Sequence, residues 1–340
     1  MAIRHIHPEE LSDKRIDVHA HVGVSLKAFA AMEYPYAQTL EGLYYRQRTG
    51  GVDVNVVFPL GPDLFFDPHA LLAGDAVPAA RPLSSVPYGI ENQMLLREVF
   101  TFCPELSPRF LPFVSVDPGR KVDEQLELLE ELDRDYPLYG IKIAPVLCQT
   151  PIARLLDRGA GFLDFARDRD LPFLFHTTVD PNESYSQASA TLEVVEANPD
   201  LRFCLAHCIA FHRGYLDRAA ALENCWVDTS ALAIQVQLAA SGSSLTATGS
   251  DRIDADFSDP NRVLRALVEA YPRTILWGTD SPAYAYICRR RQGEDTFEDF
   301  RLKARYEDEV AALESLPPSE RQAISSHNTV RFLFGNKVTK

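Results

Sequence analysis

The chain has 340 residues, 46% of them apolar and 24% charged. That balance excludes a disordered chain, a collagen-like chain and a disulfide-stapled miniprotein. The formal charge of −14 leaves no electrostatic footprint for nucleic acid or an anionic membrane and suits a soluble protein with neutral or locally complemented substrates.

The six cysteines, Cys103, Cys148, Cys204, Cys208, Cys225 and Cys288, are scattered and form no C-x-x-C pair. They read as reduced thiols of a cytoplasmic protein. Residues 1–10 lack the apolar core of a signal peptide. No run approaches 18 consecutive apolar residues, so no membrane span is expected.

Eight short β-rich runs follow in chain order, at 15–21, 52–59, 110–116, 139–144, 171–176, 201–207, 225–229 and 274–280. Helical patterns alternate with most of them. Val122, Leu126, Leu129 and Leu132 form one stripe over 122–135, and further patterns cover 161–169, 188–197, 215–222 and 260–270. Asp259 is placed to cap the last of these, with Pro260 in its first turn. Strand and helix alternating eight times predicts an α/β fold, a (β/α)8 TIM barrel, which takes about 250 residues. No linker interrupts it, so a single domain over 1–340 is expected. The surplus of about 90 residues falls at 60–90, 231–258 and 281–318. The last of these is expected to carry an extra charged helix. Each follows a strand, which places all three insertions on the catalytic face of such a barrel.

The chemistry-bearing residues share one address. His19 and His21 end the first run, His176 the fifth, His207 the sixth and Asp280 the eighth. Positions i and i+2 of a strand point the same way, so one metal ion can bind both His19 and His21. Asp17 has the same parity, one step deeper. Imidazole with carboxylate is the ligand set of catalytic zinc. Lys142 lies between Ile141 and Ile143 and should face the barrel interior. Burial would depress its pKa. Three roles stay open: a neutral amine that takes up carbon dioxide as a metal-bridging carbamate, a cation for a substrate carboxylate, or a salt bridge to an interior acid.

The sequence resembles the amidohydrolase superfamily, in its amidohydrolase-related branch, which includes aminocarboxymuconate semialdehyde decarboxylase-like proteins. The matching stretches are IDVHAH at 16–21, GVDV at 51–54, GIKIAP at 140–145, FHT at 175–177 and AH at 206–207. NCWVDTS at 224–230, WGTDSP at 277–282 and NTVRFLF at 328–334 complete the series. The resemblance implies a metal-dependent hydrolase in which metal-bound hydroxide attacks an amide, lactone or related bond. It implies that His19, His21 and Asp280 hold the first metal, that Asp280 takes the proton of the attacking water, and that His176 is a ligand. His207 is then a second-metal ligand if Lys142 is carboxylated, or a catalytic acid or substrate polariser in a one-metal site. Zinc is the expected metal, in one or two copies. A non-oxidative decarboxylase on the same scaffold is the alternative. Relatives in the branch are often dimers, which implies a homodimer.

The resemblance breaks after His207, where the branch often has a glycine-rich turn and this chain reads CIAFHRG over 208–214. His212 and Arg213 could replace the contacts of that turn, or form a solvated pair. The run Arg289, Arg290, Arg291, followed by acids from Glu294 and Asp295 to Asp299, reads as a helix-surface charge pattern or as an anion site. His5 and His7 suit a surface arm, His69 a lid and His327 a structural role. Phe65, Phe66, Tyr88, Tyr284 and Tyr286 suggest a partly apolar pocket.

Overall fold

A computed structural model of the protein describes residues 3, 5–291 and 296–335; Glu294 and Asp295 of the acidic run lie outside the described residues. The eight expected runs form β1 (Ile16–Val24), β3 (Val54–Pro59), β4 (Phe110–Ser115), β5 (Gly140–Ile143), β6 (Phe173–Phe175), β7 (Phe203–Leu205), β8 (Cys225–Asp228) and β9 (Ile275–Leu276). A two-residue strand, β2 (Ala37–Gln38), pairs antiparallel with β1. The other eight strands run parallel in chain order, each bonded to the next. Apart from the mouth end of β1, their residues are buried on both faces, the reason these runs are mainly apolar rather than alternating.

The ring closes beyond β9. Val18 N donates to Trp277 O at 3.1 Å, Asp280 N to His19 O at 2.8 Å and His21 N to Ser281 O at 2.7 Å. Segment 277–281 therefore continues β9 alongside β1. Asp17 fastens this seam rather than facing the site. It accepts from Thr279 N and Oγ1, from Asn55 Nδ2 and from His19 N.

Helices surround the strands: α1 (Leu40–Gly50), α2 (Gly89–Arg97), α3 (Val122–Asp135), α4 (Ala160–Arg169), α5 (Ala188–Ala197), α6 (Arg213–Ala220), α7 (Leu232–Ala240), α8 (Pro260–Ala270), α9 (Tyr306–Glu314) and α10 (Asn328–Phe334). Val122, Leu129 and Leu132 of the expected stripe are buried. The α8 cap forms as expected, with Asp259 accepting from Asn261 N. No helix among the described residues is long and apolar enough to cross a membrane.

Two insertions differ from expectation. Residues 231–258 contain α7. In 281–318 a hairpin of β10 (Tyr286–Arg291) and β11 (Phe297–Leu302) precedes the charged helix α9. Arg289 thus lies on a strand, not a helix surface. It sits opposite Asp299 in the register and pairs with it at 2.7 Å. Cross-strand pairing of opposite charges, read locally, looks like a helical charge pattern. In 60–90, Phe65 and Phe66 pack edge to face in a small core with Leu71 and Ala76. Tyr88 and Tyr284 are buried as well, so of the five aromatics only Tyr286 lines the large cavity of the catalytic face.

Candidate metal centre

Alternation along β1 turns His19 and His21 to the same side, as their spacing requires. Each ring is oriented by its Nδ1. That of His19 lies 2.8 Å from Asp228 Oδ2, and that of His21 lies 3.2 Å from Pro59 O. Both partners are acceptors, so both Nδ1 atoms carry the proton and both Nε2 atoms present lone pairs. Those Nε2 atoms converge on one carboxylate oxygen, Asp280 Oδ1, at 3.1 and 3.2 Å. This oxygen is buried and receives no well-aligned hydrogen bond.

Two imidazole lone pairs facing a carboxylate oxygen call for a positive charge among them. The set N, N, O is that of a divalent transition-metal site. The three residues form a group able to hold an ion, with ligand atoms within 4.8 Å of one another. Burial alone would raise the Asp280 carboxyl, but when the His19 and His21 rings are protonated their charge and N–H groups outweigh it and hold the carboxyl well below the usual carboxylate range. Burial and Lys142 lower His19, yet Asp228 and Asp280 outweigh them and raise it.

The remaining expected residues line the same end of the barrel. Lys142 faces inward and is 2% exposed. Its Nζ lies 3.3 Å from His19 Nε2 and 4.5 Å from the centre of the Phe58 ring. Burial lowers its pKa to about 8. The salt bridge to an interior acid does not form: among the described residues no carboxylate pairs with Lys142 directly. His176 and His207 are joined to each other, Nδ1 to Nε2, at 3.0 Å. Burial lowers both, and the charge of His207 adds to the effect on His176. They stand beside the first group, the His207 and His19 rings being 5.4 Å apart.

The sequence reading missed Asp228 and Ser230. Asp228 takes the His19 ring with one oxygen, and His207 N, Ser230 N and Ser230 Oγ with the other. Ser230 Oγ also reaches His207 Nδ1 at 3.0 Å. Burial would raise Asp228, but His19, His207 and Ser230 hold it far below the usual range. The available signal was an aspartate ending a strand in the quoted VDTS stretch.

The altered turn after His207 folds unusually. His207, Cys208, Ile209, Ala210 and Phe211 all have φ between 46° and 64°, which costs non-glycine residues about 1–2 kcal/mol each. His212 caps α6 through Tyr215 N, and Arg213 donates to Arg252 O. Both are engaged in structure. His5, His7, His69 and His327 are exposed, outside the cluster. A cavity of about 1250 Å³ opens on the catalytic face, lined from the segments after β1, β3, β5, β6, β8 and β9.

A parallel barrel with H-x-H on its first strand and aspartate after its last, gathered at the C-terminal mouth, defines an enzyme of the amidohydrolase type. The chain belongs to the amidohydrolase family, whose model matches residues 16–335. That family implies use of a divalent metal. Similar solved structures include a protein of Acinetobacter baumannii described as a probable 2-pyrone-4,6-dicarboxylic acid hydrolase (TM-score 0.53, 14% identity, 95% of this chain and 99% of that one). Others are an uncharacterized TIM-barrel protein of Bordetella bronchiseptica (0.57, 14%, 94% and 98%) and dihydroorotase of Campylobacter jejuni (0.52, 13%, 94% and 83%). At these identities the likeness is one of fold. No curated relative matches the chain.

Proposed function

We propose that this chain is a zinc-dependent hydrolase that opens an amide, lactone or related bond of a small molecule. The observation that carries the reading is the convergence of His19 Nε2 and His21 Nε2 on the buried Asp280 Oδ1. A zinc ion bound there supplies a Lewis acid and a water with its pKa lowered to about 7.

Asp280, held ionised, takes the proton of the attacking water at its carboxylate. Asp228 and Pro59 keep the two β1 imidazoles in the ligating tautomer. His176 adds a third imidazole. The neutral Lys142 amine, with its pKa lowered to about 8, adds through Nζ to carbon dioxide: the N–C bond forms as one C=O π pair moves onto oxygen, and an N–H proton leaves to solvent. The carbamate oxygens and His207 would then hold a second metal. If Lys142 stays unmodified, His207 serves as acid or substrate polariser. The reading also places the site in a single cytoplasmic domain of a homodimer, as the family resemblance implies.

Metal analysis of the purified chain tests it together with turnover assays on amide, lactone and carboxylate panels. Two zinc ions per chain, a modified Lys142 and turnover of amides or lactones are expected. Asp280→Asn should abolish that turnover while leaving the circular dichroism unchanged. One metal with carbon dioxide release from a hydroxybenzoate would overturn the reading in favour of a decarboxylase.

A further inference from the structure

We infer that the apolar rim built by residues 24–36, with Leu72 and Leu83, is the face through which two copies of this chain associate. This gives a surface to the homodimer reading above and rests on it. Met32 is 88% exposed, Phe29 61% and Leu83 75%, with Leu26, Tyr36 and Leu72 exposed beside them. The patch is continuous. The Phe29 and Tyr36 rings pack at 5.4 Å, and Leu26, Leu72 and Leu83 line one cavity of about 260 Å³.

Three physical features select a second copy as the occupant. The first is area. These six side chains present apolar surface on the order of 600 Å², at the upper end of the largest patch a typical monomer carries and most of the ~800 Å² per partner of a standard interface. The second is charge. Residues 24–36 carry one cation, Lys27, and one anion, Glu33, in a chain of net charge −14. Two acidic copies meet at this face without local repulsion, and with Lys27 and Arg81 set against Glu33 and Asp63 the face carries no net positive charge to attract an anionic membrane. The third is shape. A protruding Met32 and Phe29 stand beside an apolar hollow on the same face, the self-complementarity of a two-fold interface.

The rim follows β1, so the second copy would border the mouth of the barrel. Ala31 and Leu72 line the large cavity there. None of the expected metal ligands lines the smaller hollow, which separates this face from the catalytic centre.

Sedimentation equilibrium of the full chain, as purified and from low to high micromolar, tests the inference. Wild type should have twice the 38.1 kDa chain mass. The double variant Phe29→Glu, Met32→Glu should raise the dimer dissociation constant at least 100-fold with unchanged circular dichroism. Leu83→Glu, on a separate loop, should weaken the dimer as well. Phe102→Glu, equally exposed at 60% but on the extension of α2 toward the start of β4, should remain dimeric. A wild type that is monomeric throughout would overturn the homodimer reading and this surface together. A double variant that stays dimeric would overturn the surface alone.

Discussion

Asp228 on β8 holds His19 on β1, Oδ2 to Nδ1 at 2.8 Å, across 209 residues of sequence. Its other oxygen fixes His207 N and Ser230. One buried carboxylate thus sets the tautomer of a proposed metal ligand and the position of the neighbouring imidazole. Such outer groups commonly change metal affinity or activity by about 10–100-fold when replaced.

Asp228→Asn should accordingly lower metal affinity about 10–100-fold. The amide can still accept with its oxygen, but it cannot supply the anion opposite His19. Competition with a chromophoric chelator, alongside far-UV circular dichroism, reads affinity and fold separately. Affinity unchanged in a folded variant would contradict the orienting role.

Gly278 lies where β1 and the segment after β9 touch. A Cβ there would stand 2.9 Å from His19 Cβ and 3.3 Å from Val18 Cγ1. Gly278→Ala should push the two segments apart and cost about 1–3 kcal/mol. Because His19 is the residue displaced, metal retention after dialysis should fall with the melting temperature. A loss of stability with full metal retention would show that β1 yields elsewhere.

The five left-handed residues after His207 give a prediction of opposite sign. Glycine adopts that conformation freely. Ala210, at φ 50°, is small, so Ala210→Gly sacrifices little burial. The variant should be more stable by about 1 kcal/mol, measured by urea unfolding. A destabilised variant would mean that the turn carries no strain.

Glu91 supplies a pH dependence remote from the metal centre. It accepts from Leu64 N, and burial raises its pKa from 4.5 to about 7. The folded state therefore holds the proton between those values. The stabilisation is full below about pH 4.5 and is lost as pH rises through 7. Glu91→Gln keeps the neutral form, so it should be more stable than wild type by about 2 kcal/mol at pH 8 and equal to it at pH 4. Thermal unfolding at the two pH values checks this, and parallel profiles for the two proteins would refute it.

The sequence alone determined what depends on local period. Eight apolar β-rich runs separated by helical stripes determined the barrel. Two-residue spacing on β1 put His19 and His21 on one side, and the flanking isoleucines turned Lys142 inward. The tertiary structure alone decided what depends on closure. The junction of β1 with 277–281 brings Asp280 onto both imidazoles, and β8 brings Asp228 behind His19. It also decided that Arg289 lies opposite Asp299 in a hairpin, since a charge run fits strand and helix equally well until a partner strand is present. Periodicity reports which way a side chain points along its own element. Which distant group it meets follows from strand register around the ring, and that is set by the packing of the whole chain.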